Sequence, residues 1–313
     1  MKRLSLIAVL AVGFALPAAA QNTSDVDQGG SGPNTATVNQ TVGGSTRNLS
    51  EIDQANPDGA LSDANTASVT QTGTSGGIVD NTSKILQSGG SGNAATVTQS
   101  GTGGGDNGPN SPPPPWGSEI TQTGDDNTAN VGQTASVNGD NRSGIVSNGN
   151  DNTATVTQNA STNDASIAGD IDNSSLINQQ GNDNGATVNQ TSASLVLNTS
   201  TIDQIGNENT AGVTQTGVDA TSNFSNIDQG SGNDATVDQS GEDNVNVSNL
   251  SQNLDNTAEV TQGGENNTNT SLATQSGNLN EAFVTQGTTG TGINNNSIVT
   301  QSGTGSSATV NQN

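Results

Sequence analysis

Oxygen-bearing side chains recur in four short stretches of the chain, at a spacing that could support metal binding. Each stretch places acidic residues beside asparagine in a link of about four residues that carries a glycine. Hard cations such as Ca²⁺ prefer such oxygen ligands. The glycine-rich nonapeptide of calcium-binding β-rolls is absent, however, and Asp and Asn are also ordinary turn residues. The pattern leaves open a structural calcium site or a plain turn at Asp125, Asp126, Asp151, Asp183 and Glu208.

Catalytic chemistry has little support in the composition. The chain contains no histidine and no cysteine, so the commonest general base, the thiol nucleophile and the soft metal ligands are missing. The 29 acidic residues fall at variable positions, and no unique constellation interrupts the surrounding pattern. We therefore expect neither an enzyme nor a bound cofactor.

The net charge and the N-terminal segment indicate the partners and the localisation of the protein. The formal net charge is −24, and Arg47, Lys84 and Arg142 are the basic residues beyond position 20. Such a chain repels nucleic acid and anionic membranes, so we expect neither as a partner. Residues 1–20 read as a basic start, a short apolar run and an alanine-rich cleavage site, which predicts a signal peptide. We expect a secreted, extracellular protein without membrane insertion.

The remaining sequence consists of eleven copies of a paired heptad. The first heptad reads N-x-S-x-I-x-Q and the second N-x-A-x-V-x-Q, with a four-residue link between them in most copies. With 27% hydrophobic and 1% aromatic residues, composition alone would suggest disorder. A disordered tract has no reason to keep such spacing. The second heptad closes at Gln40, Gln71, Gln99, Gln133, Gln158, Gln190, Gln215, Gln239, Gln262, Gln286 and Gln312.

A spacing of two residues predicts β-strands whose repeated side chains share one face. One such strand pair buries too little apolar surface to stand alone, so stacking must complete the core. Stacked Asn and Gln side chains can then form amide ladders. The predicted inward ladder includes Asn198, Ser200, Ile202, Gln204, Gly206, Asn209, Ala211, Val213 and Gln215, with Gln122, Asn127, Ala129, Val131, Gln133, Gln229, Asn233, Ala235, Val237 and Gln239 in other copies.

These elements predict an all-β solenoid of about eleven stacked strand-arc-strand repeats over residues 21–313. Its two sheets should be parallel and in register, as in cross-β structures. Inserts are expected at 55–64, 100–115 and 159–172. The second insert contains Pro112 to Pro115, which we interpret as a loop outside the ladder because proline lacks the backbone N–H.

Threonines on the opposite strand face suggest an alternative function. A flat hydroxyl array could serve a soluble, capped β-solenoid adhesin or an ice-binding protein. The same column also contains Asn130, Gly212, Glu259 and Phe283, which would roughen that surface. A capped solenoid also needs atypical polar end units, whereas the repeat begins at residue 22 and runs to 312. The threonines of the column include Thr37, Thr96, Thr155, Thr187, Thr236 and Thr309.

The combined pattern N-x-S-x-I-x-Q-x-G-x-x-N-x-A-x-V-x-Q resembles the curlin repeat of curli subunits, over essentially all of residues 21–313. The resemblance implies a building block of extracellular curli-like amyloid fibres that support biofilm matrix, surface adhesion and cell aggregation. It also implies the partners: further copies of the chain, a homologous nucleator subunit, a curli secretion channel and its chaperones.

Overall fold

A computed structural model shows a chain built of β-strands and tight turns. The structure describes residues 21–29, 33–43, 45–55, 64–74, 78–102, 117–136, 139–161, 171–193, 196–219, 221–287 and 292–312. Over these ranges it has 22 strands and no helix. Accordingly, no helix in them has the length and apolarity needed to cross a membrane.

The strands alternate between two sheets of eleven parallel strands. Sheet 1 contains β1 Gln21–Gln28, β3 Ser45–Ala55, β5 Ile78–Ser88, β7 Ser118–Thr123, β9 Gly139–Asn148, β11 Ile171–Gln180, β13 Leu197–Ile205, β15 Ser222–Ser231, β17 Val245–Leu254, β19 Thr268–Asn278 and β21 Asn294–Thr304. Sheet 2 contains β2 Thr35–Val42, β4 Thr66–Thr74, β6 Ala94–Thr102, β8 Thr128–Ser136, β10 Thr153–Ser161, β12 Gly185–Ala193, β14 Thr210–Val218, β16 Asp234–Glu242, β18 Thr257–Gln262, β20 Glu281–Gln286 and β22 Ser307–Gln312.

Each odd-numbered strand and the even-numbered strand after it form one rung, and the rungs are numbered 1 to 11 along the chain. Neighbouring rungs pair in register, so equivalent residues stack on one another. In sheet 2, for example, Val188 pairs with Val213, and in sheet 1 Ile177 pairs with Ile202. A slip of one residue would turn the apolar column outward, so the heptads themselves specify this register.

The core is a thin layer between the two sheets. The Ile, Val and Ala columns are buried, and the alternation continues along each strand. In β14, for example, Ala211, Val213 and Gln215 are buried, whereas Thr210, Thr214 and Thr216 are exposed. Outward positions carry many threonines, and β-branched side chains favour strands. The core therefore needs no aromatic residue, because small and aliphatic side chains fill a narrow gap.

Tight turns join the two strands of a rung, and stacking determines their composition. Gly149 and Gly181 have φ angles of 126° and 123°, in the region that favours glycine. A Cβ at Gly149 would also collide with the carbonyl oxygen of Gly181 in the next rung. The glycine of the Q-x-G link is thus required both by its own conformation and by the rung stacked on it.

The predicted fold class is confirmed: an all-β solenoid with two parallel, in-register sheets. The central residues of the three expected inserts, the predicted signal peptide and Trp116 lie outside the described residues. Beside two of these inserts, β6 continues to Thr102 and β10 to Ser161.

Candidate assembly surface: amide ladders and open terminal rungs

The closing glutamines of sheet 2 form a continuous hydrogen-bonded ladder through all eleven rungs. Each Nε2 donates to the Oε1 of the next glutamine along the chain, from Gln40 to Gln71 at 2.7 Å through to Gln286 and Gln312 at 2.8 Å. The second hydrogen of the amide reaches the other sheet, as when Gln215 Nε2 donates to the Thr199 carbonyl at 2.9 Å. Each buried amide therefore links neighbouring rungs and both sheets.

The corresponding ladder in sheet 1 has one interruption. Gln87 donates to Gln122 at 2.8 Å, and the ladder runs again from Gln179 to Gln301. Between them stands Ser147, whose Oγ donates to Gln179 Oε1 at 3.1 Å. The serine hydroxyl is too short to continue the ladder toward Gln122, so in this column of sheet 1 rungs 4 and 5 lack the side-chain hydrogen bond that joins the other neighbouring rungs.

The leading asparagines of sheet 1 form a ladder with the opposite polarity. Asn198 Nδ2 donates back to Asn173 Oδ1 at 2.9 Å, and Asn223 Nδ2 donates back to Asn198 at 2.8 Å. The glutamine ladders donate forward along the chain, so the two kinds of amide row point in opposite directions. Both kinds leave a donor or acceptor directed at each end of the stack.

The asparagines after each link hold the turns in place. Asn184 Oδ1 accepts from the Asn209 backbone N–H at 3.2 Å, and Asn184 Nδ2 donates to the Gly206 carbonyl at 2.8 Å. The equivalent amide of Asn209 donates to the Gly230 carbonyl. This geometry explains why Asn follows Gly at a fixed distance in the Q-x-G-x-x-N link.

The same link also occurs in a second place, which the heptad pattern did not predict. Gln239 to Asn244 and Gln262 to Asn267 repeat Q-x-G-x-x-N in the joints between rungs rather than inside one. There Asn244 Nδ2 donates to the Gly264 carbonyl at 2.7 Å, and the Asn267 N–H donates to Asn244 Oδ1 at 2.8 Å. A search of every joint for the same six-residue spacing would have found both.

The acidic arc residues lie on one edge of the stack, in turn conformations. Asp126, Asp151, Asp183 and Glu208 have φ angles of 54°, 56°, 57° and 58°, and all four side chains are exposed. Asp125 Oδ1 accepts from the Ser91 N–H at 2.7 Å. Among the described residues, no group of three or more acidic side chains could hold a metal ion. The turn interpretation thus has a specific geometry, and structural calcium stays an untested alternative.

The residues of the predicted ladder lie in the core, except for Gly206, which is half-buried in the turn. The spacing did not reveal that several inward serine hydroxyls would be left without partners. Ser200 and Ser225 Oγ are buried and make no hydrogen bond, whereas Ser143 Oγ accepts from Gln133 Nε2 at 3.3 Å. The serine column is therefore only partly satisfied.

The threonine column of sheet 2 is interrupted. Pairing places Thr187 beside Gly212, Thr236 beside Glu259, and Glu259 beside Phe283. The flat hydroxyl array required by the ice-binding alternative is therefore broken within single strand pairings.

Stacked carboxylates lie on the outer face of sheet 1. Burial, followed by repulsion from Asp27 and Glu51, raises the pKa of Asp53 above its ordinary value. Burial and the charge of Asp228 likewise raise the pKa of Asp203, against a hydrogen bond from Asn178 that lowers it. In sheet 2, burial raises the pKa of Asp238. Burial thus makes these three carboxylates harder to ionise, and neighbouring carboxylates add to the effect at Asp53 and Asp203.

Among the described residues, no strand pairs with the outer edges of rungs 1 and 11. Val38 in rung 1 and Val310 in rung 11 are only partly buried, whereas the equivalent valines of rungs 2 to 10 are at most 2% exposed. Inside the stack, the Glu281 N–H donates to the Ser306 carbonyl of the next rung at 2.8 Å. By the same pattern the N–H of Ser307 points out of the C-terminal end. Such an edge is a template for another strand.

Comparison with known families supports the resemblance in part of the chain. Residues 255–287, which include β18, β19 and β20, match the family model described as Curlin associated repeat. Comparison with curated proteins found no match. The repeat and the β-solenoid together fit a structural subunit of the curli type, and that family is structural rather than catalytic.

Proposed function

We propose that the chain is the structural subunit of an extracellular, curli-like amyloid fibre that supports biofilm matrix, surface adhesion and cell aggregation. Copies add to one another at the terminal rungs and extend both sheets. The observation that carries the proposal is the match between the two open ends.

The exposed edges of rungs 1 and 11 carry the same inward residues in the same order. In sheet 1, Ser24, Val26 and Gln28 of β1 occupy the same heptad positions as Ser297, Val299 and Gln301 of β21. In sheet 2, Ala36, Val38 and Gln40 correspond to Ala308, Val310 and Gln312.

Head-to-tail addition would therefore repeat the contacts already present between rungs. Gln312 Nε2 would donate to Gln40 Oε1 of the next copy, in the direction used throughout the ladder. The half-buried valines at the two ends would become fully buried, which favours association through the hydrophobic effect. Pairing of two N-terminal ends would instead bring Asp25 and Asp27 close to their own copies, so like charges oppose it.

The proposed route to the outside rests on the sequence of the first twenty residues. Residues 1–20 would direct export, and the mature chain would begin near Gln21. By the resemblance, a curli-type secretion channel and its chaperones would carry the chain, and a homologous nucleator would start the fibre. A catalytic role, nucleic acid and membrane insertion form no part of the proposal.

Assembly from the unfolded chain tests the proposal. Residues 21–313, diluted from denaturant, should form fibres after a lag that preformed seeds abolish. Their diffraction should show spacings of about 4.7 and 10 Å. A stable folded monomer that does not elongate seeds would contradict the fibre and favour the capped adhesin.

The direction of growth can be tested at the C-terminal end. Asn294 and Ser307 are the first residues of β21 and β22, and the equivalent N–H groups of Thr268 and Glu281 donate to the next rung at 2.9 and 2.8 Å. The double variant Asn294→Pro/Ser307→Pro removes two outgoing donors and should leave the bonds within the subunit intact.

This capped chain should bind a fibre through its own rung 1 and then stop growth, so a small fraction of it should arrest seeded elongation of the wild type. Asn294→Ala/Ser307→Ala keeps both N–H groups and should elongate normally. Unimpaired growth of the proline variant would rule out addition at this edge.

A further inference from the structure

The outer faces of the two sheets differ in their apolar content. At the outward heptad positions of sheet 1, large apolar side chains include Leu176 at 46%, Phe224 at 39% and Ile298 at 67% exposure. Leu49, Val146 and Leu272 are also exposed there. The outward heptad positions of sheet 2 carry one such residue, Phe283, which is half-buried. Exposed apolar patches of this kind mark interaction surfaces.

The face is large enough for a stable contact. Eleven strands spaced about 4.8 Å apart, with heptads about 20 Å long, give about 1,000 Å² on each partner. A pair of such faces would bury about 2,000 Å², the upper end of the range for standard protein–protein interfaces. The outer face of sheet 1 is therefore able to hold a second copy of itself.

Charge decides how two such faces can meet. If the stack axes run parallel, every rung faces its own copy, and the central outward column meets itself. Asp25, Glu51, Lys84 and Glu119 would then each face an identical charge. Four directly opposed like charges disfavour that arrangement.

If the stack axes run antiparallel with full overlap, rung 1 faces rung 11 and rung 6 faces rung 6. Asp25 then meets Ile298, Glu51 meets Leu272, and Leu176 meets its own copy. Lys84 and Glu119 meet Asn249 and Asn226, so none of these charges faces a like charge.

The same arrangement matches side-chain size at one position. Rung 8 faces rung 4, which places Phe224 opposite Gly117. The large ring would meet the position without a side chain.

We propose that the outer face of sheet 1 pairs with the same face of a second copy, with the two stack axes antiparallel, so that mature fibres are double. This inference rests on the proposed fibre, because the paired units are the growing stacks. The outer face of sheet 2 stays outside the pair.

The test compares apolar residues on the two faces. The variant Leu176→Thr/Phe224→Thr/Leu272→Thr keeps strand-favouring residues while removing three apolar side chains from the face. Phe283→Thr makes the same aromatic-to-threonine change on sheet 2. Fibres of the wild type and of Phe283→Thr should have twice the mass per length of the triple variant, measured by scanning transmission electron microscopy. Elongation rates on single-stack seeds should agree within about twofold, because the rung edges are unchanged.

Several results would overturn the pairing. The first is a mass per length of wild-type fibres that corresponds to one stack. The second is a loss of pairing in Phe283→Thr that equals the loss in the triple variant. The third is a single-stack wild-type fibre that binds cellulose or anionic vesicles through Phe224. Two-colour seeded growth tests the orientation of the two stacks. The two stacks of a double fibre should extend in opposite directions, and growth in the same direction would refute the antiparallel arrangement.

Failure of the fibre itself has a separate signature, namely no elongation by any variant. The folded chain would then be tested by sedimentation. Wild-type dimers that the triple variant lacks would support the face, and monomers of both would overturn it.

Discussion

Two neighbouring parts of sheet 1 stack in the same register, although one has a continuous ladder of closing glutamines and the other does not. From rung 6 to rung 11, each closing glutamine donates to the next at 2.9 to 3.1 Å. At rung 5, Ser147 interrupts the row, yet Ile120, Ile145 and Ile177 stay in register and fully buried across the gap. The register of sheet 1 therefore does not require a closing glutamine at every rung. The amides supply additional bonds between rungs and sheets.

The largest expected effect comes from breaking what both regions share. Val213→Asp places a charge without a partner between the sheets, and burial of such a charge costs far more than one side-chain contact contributes. We expect loss of ordered structure in the rungs around β14 and a strong reduction of fibre growth. Circular dichroism and seeded elongation measure the two effects.

The adjacent outward residue is the control. Thr214 is exposed, so Thr214→Asp should reduce growth far less than Val213→Asp. Equal damage from the two changes would mean that the inward and outward faces have been assigned the wrong way round.

Removing an amide from the continuous region should cost more than removing the serine from the interrupted one. Gln204 accepts from Gln179 at 3.0 Å and donates to Gln229 at 3.0 Å and to the Gly185 carbonyl at 2.9 Å. Gln204→Ala leaves these groups without that partner, which should destabilise the subunit by about 2–4 kcal/mol. Ser147→Ala loses one bond and should cost about 1 kcal/mol. Denaturant unfolding of fibres compares them, and equal costs would show that the ladder adds nothing.

Completing the ladder is the converse change. Ser147→Gln would place an amide between Gln122 and Gln179, in a column where glutamine fits at the other rungs. Each new hydrogen bond should add about 1 kcal/mol to stability, so we expect a gain of about 1–2 kcal/mol. The midpoint of denaturant unfolding should rise accordingly. A lower midpoint would mean that the neighbourhood of rung 5 differs from that of other rungs.

The comparison also shows what the sequence could predict. The columns were predictable because identical residues recur at period two, and the register follows once one face is buried, as at Val213 and Ile202. The direction of the amide ladders was not, because Asn and Gln can donate either way. Nor were the bonds from Gln215 to the Thr199 carbonyl and from Asn184 to Gly206, which depend on how closely sheets and turns approach.

Stability should depend on pH through the stacked carboxylates. The pKa of Asp203 is raised in the folded stack by burial and by Asp228. A raised pKa means that the folded state binds a proton more readily than the unfolded chain. Protonation of Asp203 therefore adds to the free energy of unfolding. This added stability is complete below the ordinary Asp pKa, about 3.9, and is lost as pH rises through the pKa of the folded state. Fibres should therefore become more resistant to denaturant as pH falls from 7 toward about 4.

Neutralisation tests the source of this dependence. Asp203→Asn should flatten the pH profile, whereas Glu119→Gln, whose column neighbours are Lys84 and Gly144, should change it less. A profile that Asp203→Asn leaves unaltered would remove the stacked carboxylates from this account.

The smallest effect concerns the serine column, whose hydroxyls accept a hydrogen bond at some rungs and have no partner at others. Ser200, in the continuous region, is buried without a hydrogen-bond partner, whereas Ser143, beside the interruption, accepts from Gln133 at 3.3 Å. Burying a hydroxyl without a bond is unfavourable, so Ser200→Ala should leave stability unchanged or raise it by up to about 1 kcal/mol. Ser143→Ala removes an acceptor from an amide that keeps two others, the Gly117 carbonyl and Gln158 Oε1, and should cost at most about 1 kcal/mol. The denaturant midpoint of Ser200→Ala should therefore be higher than that of Ser143→Ala. If Ser200→Ala is instead the more destabilising change, its hydroxyl makes a bond in the assembled fibre, and the serine column belongs with the amide ladders as part of what holds the rungs together.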